Sequence, residues 1–173
     1  MPATFATTRE EIEVYRFNPI VSIGVPLGAM LLQVFLPLRL PFVRMFDLPL
    51  LVTIYFAVAR RKPVTGMLTG SILGLLQDSL THQAIGLFGI AKTVVGYLAS
   101  SLGVKIDIEN PGSRLLITFV FYLLHQTIYF MVARGLAEQM LTWRWGHEAL
   151  AALANAVLGV VVFMVLDKFR NRG

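Results

Sequence analysis

Polar side chains occur inside apolar stretches of membrane-spanning length in this sequence, where they could bind a ligand or join helices. A charged group at the centre of a bilayer costs about 2.5–3.5 kcal/mol even on lenient insertion scales, so it normally faces a bundle interior or water. These residues are therefore the candidates for function. They are Gln33, Gln77, Asp78, Lys92, His125, Gln126, Tyr129 and Asn155.

Two interpretations of these polar groups remain open. In the first, they only satisfy one another: Asp78 forms an ion pair with Lys92, although their depths differ by roughly 9 Å along the helices. A closed hydrogen-bond cluster at three- and four-residue spacing would then join Tyr122, His125, Gln126 and Tyr129. In the second, the same side chains line an outward-facing cavity that receives a ligand or a segment of a partner protein.

Enzyme chemistry is not indicated. Asp78 and His82 are four residues apart and share a helical face, but two ligands without a third are poor support for a metal site. The sequence has no Gly-x-Ser-x-Gly elbow, no His-Glu-x-x-His and no phosphate-binding P-loop. Cysteine is absent, which excludes thiolate ligands. We therefore expect no catalytic residue, no metal and no cofactor.

The composition predicts an integral membrane protein. Hydrophobic residues make up 56% of the 173 positions and charged residues 14%, whereas a soluble domain has about 25% charged residues. The net charge of +5 does not indicate nucleic-acid binding, because the basic residues lie at the edges of the apolar blocks, where they orient membrane proteins.

Six apolar segments predict an all-α polytopic bundle of about six transmembrane helices. The second segment is the weakest, because 13 residues cover only about 20 Å of a ~30 Å hydrocarbon core. It reaches spanning length only by including Phe42 and Val43. We expect a cytoplasmic segment over residues 1–18, a transmembrane domain over 19–168 and a basic tail over 169–173. The six segments are Pro19–Leu38, Asp47–Ala59, Pro63–Leu80, Ala84–Leu102, Arg114–Ala133 and Ala149–Leu166.

The distribution of Lys and Arg predicts that both termini are cytoplasmic in a bacterial inner membrane. With the N-terminus inside, ten basic residues fall on the inner side and four on the outer side, which leaves Lys92 within a span. In this orientation the candidate polar residues lie in the outer half of the bundle, and the inner half offers mainly Ser and Thr. The four outer residues are Arg39, Arg44, Arg134 and Arg144. Trp143 and Trp145 flank Arg144 as an interfacial aromatic anchor does.

Glycines at four-residue spacing predict close helix packing. Gly66, Gly70 and Gly74 lie along one face of the third span, and Gly24 and Gly28 repeat the spacing in the first. Small residues at this spacing let helix backbones approach closely in lipid. The structural interpretation is that these glycines pack inside the bundle, and the alternative is that they form a face that binds a partner.

Residues 45–103 resemble the MreD family of rod shape-determining proteins. In that family a short second span ends in a basic stretch, as Arg60-Arg61-Lys62 does here. A glycine-spaced third span then ends in Gly-Leu-x-x-Asp, followed by a Gly-Leu turn and a span that closes in Gly-Tyr-Leu. The corresponding residues are Gly74, Leu75 and Asp78, then Gly86 and Leu87, then Gly96, Tyr97 and Leu98.

The resemblance implies a non-enzymatic member of the elongasome, the complex that builds the lateral cell wall of rod-shaped bacteria. It implies MreC as the partner and, through MreC, MreB filaments, the RodA glycosyltransferase and a class B penicillin-binding protein. The family fold is also similar to the substrate-binding S component of energy-coupling-factor vitamin transporters, which is the alternative function. Our first hypothesis is a scaffold whose outward cavity contacts MreC and is lined by Asp78, Lys92, His125 and Asn155.

Overall fold

The computed structural model describes residues 16–103 and 110–171. Within these residues the chain forms six α-helices, one 3₁₀ helix and a ladder of two very short strands, so the predicted six-helix bundle is confirmed. Most of residues 1–18 and part of the tail at 169–173 lie outside the described residues. The helices are α1 (Pro19–Arg39), the 3₁₀ helix (Pro41–Met45), α2 (Leu48–Arg60), α3 (Pro63–Leu80), α4 (Leu87–Leu102), α5 (Pro111–Gly135) and α6 (Trp145–Asp167).

Helix starts follow ordinary capping chemistry. A proline occupies the first or second position of α1, α2, α3 and α5, where its missing N–H costs nothing. Asn18 and Asp47 accept hydrogen bonds from backbone N–H groups of the first turns of α1 and α2. Because Asp47 caps α2, the 3₁₀ helix is separate from it, and α2 does not gain length through Phe42 and Val43.

Helix lengths divide the bundle into long outer helices and a short inner one. α1, α5 and α6 are long and apolar enough to cross a membrane, whereas α2 and α4 are shorter apolar helices. Every residue from Pro49 to Ala59 of α2 is buried. α2 packs against the other five helices, so other helices rather than lipid surround it along its short length.

Both described chain ends lie at the same end of the bundle. The short strand β1 (Arg16–Phe17) pairs antiparallel with β2 (Arg170–Asn171), which brings the two described chain ends together. We call this the termini end. The opposite end, where α1, α3 and α5 finish and α2, α4 and α6 begin, is the cavity end.

α3 and α4 form the closest helix pair. A Cβ atom built on Gly74 would lie 2.6 Å from Gly89 Cα, and one on Gly70 would lie 2.6 Å from the carbonyl carbon of Lys92. A Cβ on Gly66 would collide with the backbone of Gly96. The three glycines therefore bring the backbones of α3 and α4 together, as small residues do in membrane helices.

Gly24 and Gly28 have a different environment. A Cβ atom added at either position meets no atom of the described residues within 4 Å. The expectation that these two glycines pack inside the bundle is therefore wrong for this chain. Their spacing matches that of the α3 glycines, but α1 turns this face away from the neighbouring helices.

Candidate functional site

Asp47 lies at the junction between the 3₁₀ helix and α2, and several chain segments hold it in place. Its carboxylate accepts the N–H of Leu50 at 2.9 Å. Its own N–H donates to Asn155 Oδ1 at 2.9 Å, while Asn155 Nδ2 donates to the Met45 carbonyl at 2.8 Å. Asn155 of α6 therefore fixes the entry to α2, and its side chain is fully buried.

Lys92 neutralises the Asp47 carboxylate. Lys92 Nζ donates to Asp47 Oδ2 as a buried ion pair, and it lies 3.4 Å from His125 Nε2. An ammonium can only donate, so this second contact requires Nε2 to accept. The His125 ring is parallel to that of Phe88, with centroids 5.8 Å apart. The result is a buried polar cluster of Asp47, Lys92 and His125 that joins α2, α4 and α5.

Asp78 has a role other than the predicted one. Its carboxylate accepts three backbone N–H groups at the start of α4, from Gly86 and Phe88 at 2.9 Å and from Gly89 at 3.1 Å. The ion pair with Lys92 that the first interpretation assumed does not form among the described residues, because Lys92 pairs with Asp47. The first N–H groups of a helix have no partners within the helix, and Asp78 satisfies those of α4.

The closed hydrogen-bond cluster on α5 that the first interpretation allowed does not form, because three of its four members contact other segments. Tyr122 O–H donates at 3.5 Å to the Met45 carbonyl, and Gln126 Nε2 donates to Glu148 at 3.1 Å. Tyr129 stacks on Phe88 with centroids 4.7 Å apart. These side chains share a face, but each one contacts a different neighbouring segment.

Gln33 ties α1 to the same junction. Its amide donates to the Phe46 carbonyl at 2.9 Å and accepts the Leu48 N–H at 3.0 Å. Gln33 and Asn155 thus bind the chain on both sides of Asp47, from α1 and from α6. These two side chains therefore tie the junction between the 3₁₀ helix and α2 to α1 and α6, in addition to the backbone hydrogen bonds of the two helices.

A cavity of about 710 Å³ opens at the cavity end, and we call it the Asp47 cavity. Gln77 lines this cavity. Its side chain is 4% exposed, and its Oε1 accepts no hydrogen bond from the described residues. Of the predicted site residues, the lining contains Gln33, Gln77, Gln126 and Tyr129.

The other four predicted residues do not line the Asp47 cavity. Asp78, Lys92, His125 and Asn155 are fully buried and lie outside its lining. The prediction that these four form its wall is wrong. Asp78 binds backbone N–H groups of α4, Asn155 binds the chain at the start of α2, and Lys92 pairs with Asp47. Their role in the structure is to support the wall.

Sequence reasoning missed Asp47 as a functional residue. The apolar pattern marks it only as the first residue of a short segment, although it directly precedes Leu-Pro at a helix start. An Asp in that position is a strong helix cap. The signal was therefore available, but the partner Lys92 is 45 residues away and spacing does not reveal it.

The termini end also holds a partly buried polar set, so the predicted contrast between a polar outer half and an inner half of Ser and Thr is incomplete. Arg114 Nη2 pairs with Asp167 Oδ2 at 2.5 Å, and Tyr55 O–H donates to Asp167 Oδ1 at 2.9 Å. Arg60 donates to Ser22 Oγ at 2.6 Å. The first three residues join α5, α6 and α2 at this end.

The Asp47 cavity presents polar groups on a fixed wall, and the buried Asp47, Lys92 and Asp78 side chains are engaged in structural contacts. Among residues 16–103 and 110–171, no three His, Cys, Asp or Glu side chains are grouped so that they could hold a metal ion. The predicted absence of a metal and of a cofactor stays a prediction.

Comparison with known proteins identifies the family. The family model described as rod shape-determining protein MreD matches residues 16–169. No match was found among curated proteins or among solved structures, so the similarity to transporter S components stays a prediction. Because the match includes all six helices, it extends the likeness beyond residues 45–103. The chain belongs to the MreD family of rod shape-determining membrane proteins.

Proposed function

We propose that the chain is a non-enzymatic membrane scaffold of the bacterial elongasome and that the Asp47 cavity binds MreC. Family membership supports the role in cell shape. The observation that carries the proposal is the cavity of about 710 Å³, whose polar lining residues Gln33, Gln77 and Gln126 come from three different helices. MreC would link the scaffold indirectly to MreB, RodA and a class B penicillin-binding protein.

The proposed orientation puts the Asp47 cavity on the periplasmic side of the inner membrane. The pairing of β1 with β2 supports placing both termini on one side. Basic residues outside the spans are more numerous at the termini end, which is the side that the positive-inside rule assigns to the cytoplasm. The cavity is then accessible to the large periplasmic domain of MreC or to the chain segment that leads to it.

The buried cluster beside the cavity supports binding of a partner with little rearrangement. Lys92 and Asn155 hold Asp47, and Asp47 lines the cavity. A cavity whose wall is already fixed loses less conformational entropy when a partner binds. The structural role of the Asp47, Lys92 and His125 cluster is therefore to preorganise the binding surface.

Co-purification of MreC with cavity variants tests the proposal. Val34 lines the Asp47 cavity on α1, and Leu31 of the same helix is 56% exposed away from it. Val34→Trp should fill the cavity and lower MreC recovery at least tenfold, about 1.4 kcal/mol of binding energy. Leu31→Trp is the matched control and should leave recovery unchanged. Equal MreC recovery with both variants would show that MreC does not bind in this cavity.

A second candidate function is solute binding in the same cavity. The cavity volume of about 710 Å³ favours it, because pockets for small molecules measure about 300–1,000 Å³. Titration calorimetry with vitamin-sized solutes distinguishes the two functions. Micromolar binding that Val34→Trp abolishes and Leu31→Trp keeps would support an S component, whereas no heat of binding together with MreC recovery supports the scaffold.

A further inference from the structure

A second cavity at the cavity end lies between the last turn of α5 and the loop that leads to α6. Its volume is about 600 Å³, and its walls include Phe130, Arg134, Met140, Trp143 and Trp145. We call it the tryptophan cavity. Its lining residues differ from those of the Asp47 cavity, so the function proposed above leaves it unused.

Helix lengths put the tryptophan cavity at the level of the lipid headgroups. α5 has 25 residues and α6 has 23, which correspond to about 37 and 34 Å. Both exceed the ~30 Å hydrocarbon core, so their ends reach the interface. The only two tryptophans of the chain, Trp143 and Trp145, lie here, as tryptophans at membrane interfaces commonly do.

The polar groups of this cavity suit an anion. Arg134 lies 5.9 Å from the ring centroid of Phe130 and makes no ion pair among the described residues. The indole N–H of Trp143 has no hydrogen-bond partner within the same residues. An indole N–H only donates, and a guanidinium favours phosphate or carboxylate oxygens. Arg134 is exposed at this cavity, so a phosphate oxygen there can reach its guanidinium, whereas Trp143 Nε1 is itself enclosed and would meet that oxygen only after the indole ring turned.

The exposed apolar groups of the cavity favour a lipid as the source of that phosphate. Trp145 is 78% exposed, and Met140 is fully exposed. At the interface such surfaces contact the upper part of acyl chains, which free phosphate lacks. We propose that the tryptophan cavity binds the phosphate of an anionic phospholipid from the leaflet at the cavity end, with Arg134 as its charged contact.

Tryptophan fluorescence tests this site directly, because both tryptophans of the chain line it. The full chain is reconstituted into phosphatidylcholine vesicles that contain equal fractions of brominated phosphatidylglycerol or brominated phosphatidylcholine. Bromine quenches an indole that it contacts. We expect the anionic lipid to be preferred about fivefold, which corresponds to one basic side chain near the surface.

Variants identify the contacting group. Arg134→Gln should abolish the preference, whereas Arg39→Gln is the control: it removes an exposed charge at the same end of the bundle, outside the lining of the tryptophan cavity. Equal quenching of the wild type by the two brominated lipids overturns the proposal without any variant. Retention of the preference in Arg134→Gln, with helical content unchanged by circular dichroism, also overturns it.

Free phosphate is the competing source. Inorganic phosphate is added to the wild-type vesicles, with sodium chloride at matched ionic strength as the control. If phosphate removes the lipid preference and the chloride does not, the site takes free phosphate and the assignment to a lipid is wrong. If both additions lower the preference equally, screening of a lipid contact explains the effect, as the proposal expects.

Discussion

Lys92 of α4 forms its ion pair with Asp47, the residue that caps α2, and the two positions are 45 residues apart in the chain. Both side chains are buried, and His125 and Asn155 complete their surroundings. One carboxylate thus starts a helix, neutralises an intramembrane ammonium and forms part of the Asp47 cavity. Lys92 binds this carboxylate from α4, and Asn155 of α6 accepts the backbone N–H of Asp47, so the two residues connect the cavity wall to α4 and α6.

Removing one member of this ion pair should destabilise the protein more than removing both. Lys92→Met leaves a buried carboxylate without its counter-charge, which costs about 3–5 kcal/mol. Asp47→Asn/Lys92→Met removes both charges and keeps an acceptor for the Leu50 N–H, so we expect it to be more stable than Lys92→Met. The measurement is the free energy of unfolding in mixed detergent micelles, followed by circular dichroism. A double variant as unstable as the sum of the single variants would contradict the pairing.

Asp78 should control the start of α4 independently of Lys92. Asp78→Ala leaves three N–H groups without their acceptor, so the amides of Phe88 and Gly89 should exchange with deuterium at least tenfold faster, which is about 1.4 kcal/mol of lost protection. Hydrogen exchange read by mass spectrometry measures this.

The Lys92→Met variant is the control for Asp78→Ala. It should leave exchange over residues 86–89 closer to that of the wild type, because Lys92 donates no hydrogen bond to Asp78 in this structure. Strong energetic coupling between Asp78→Ala and Lys92→Met in a double-mutant cycle would instead support the ion pair that spacing suggested.

Alanine at two glycines of equal spacing should have opposite effects. Gly70→Ala puts a methyl group against the Lys92 backbone, so α3 and α4 must separate, at a cost of about 1–3 kcal/mol. Gly24→Ala meets open space and should be neutral or stabilising by up to about 1 kcal/mol, because alanine favours helix. Thermal unfolding in detergent compares the two variants. A loss of stability in Gly24→Ala equal to that in Gly70→Ala would show that α1 is packed against something that the isolated chain does not contain.

Local rules predicted most of the fold. Proline positions, apolar block lengths and the charged breaks give helix bounds that agree with the structure within a few residues, and α3 agrees fully. The short α2 was the weak point because length alone does not reveal burial. Its neighbours surround it, and that depends on contacts between segments distant in sequence.

The candidate site was predicted less well because depth along a helix is not sufficient to assign partners. Gln77 and Asp78 are adjacent in sequence, yet one lines the Asp47 cavity and the other binds the backbone of α4. Asp47 stands at the boundary of a segment, where a charged residue is ordinary and its position alone does not indicate a partner. Only the packing of α2 against α4 brings it to Lys92.

Photo-crosslinking in cells determines whether MreC occupies the Asp47 cavity. A photoreactive phenylalanine replaces Tyr129, which lines the cavity, or Leu153 of α6, which is 48% exposed elsewhere. The scaffold account predicts a crosslink to MreC from position 129 and none from position 153, in cells that keep their rod shape. No crosslink from position 129, or equal crosslinking from both positions, would contradict the account.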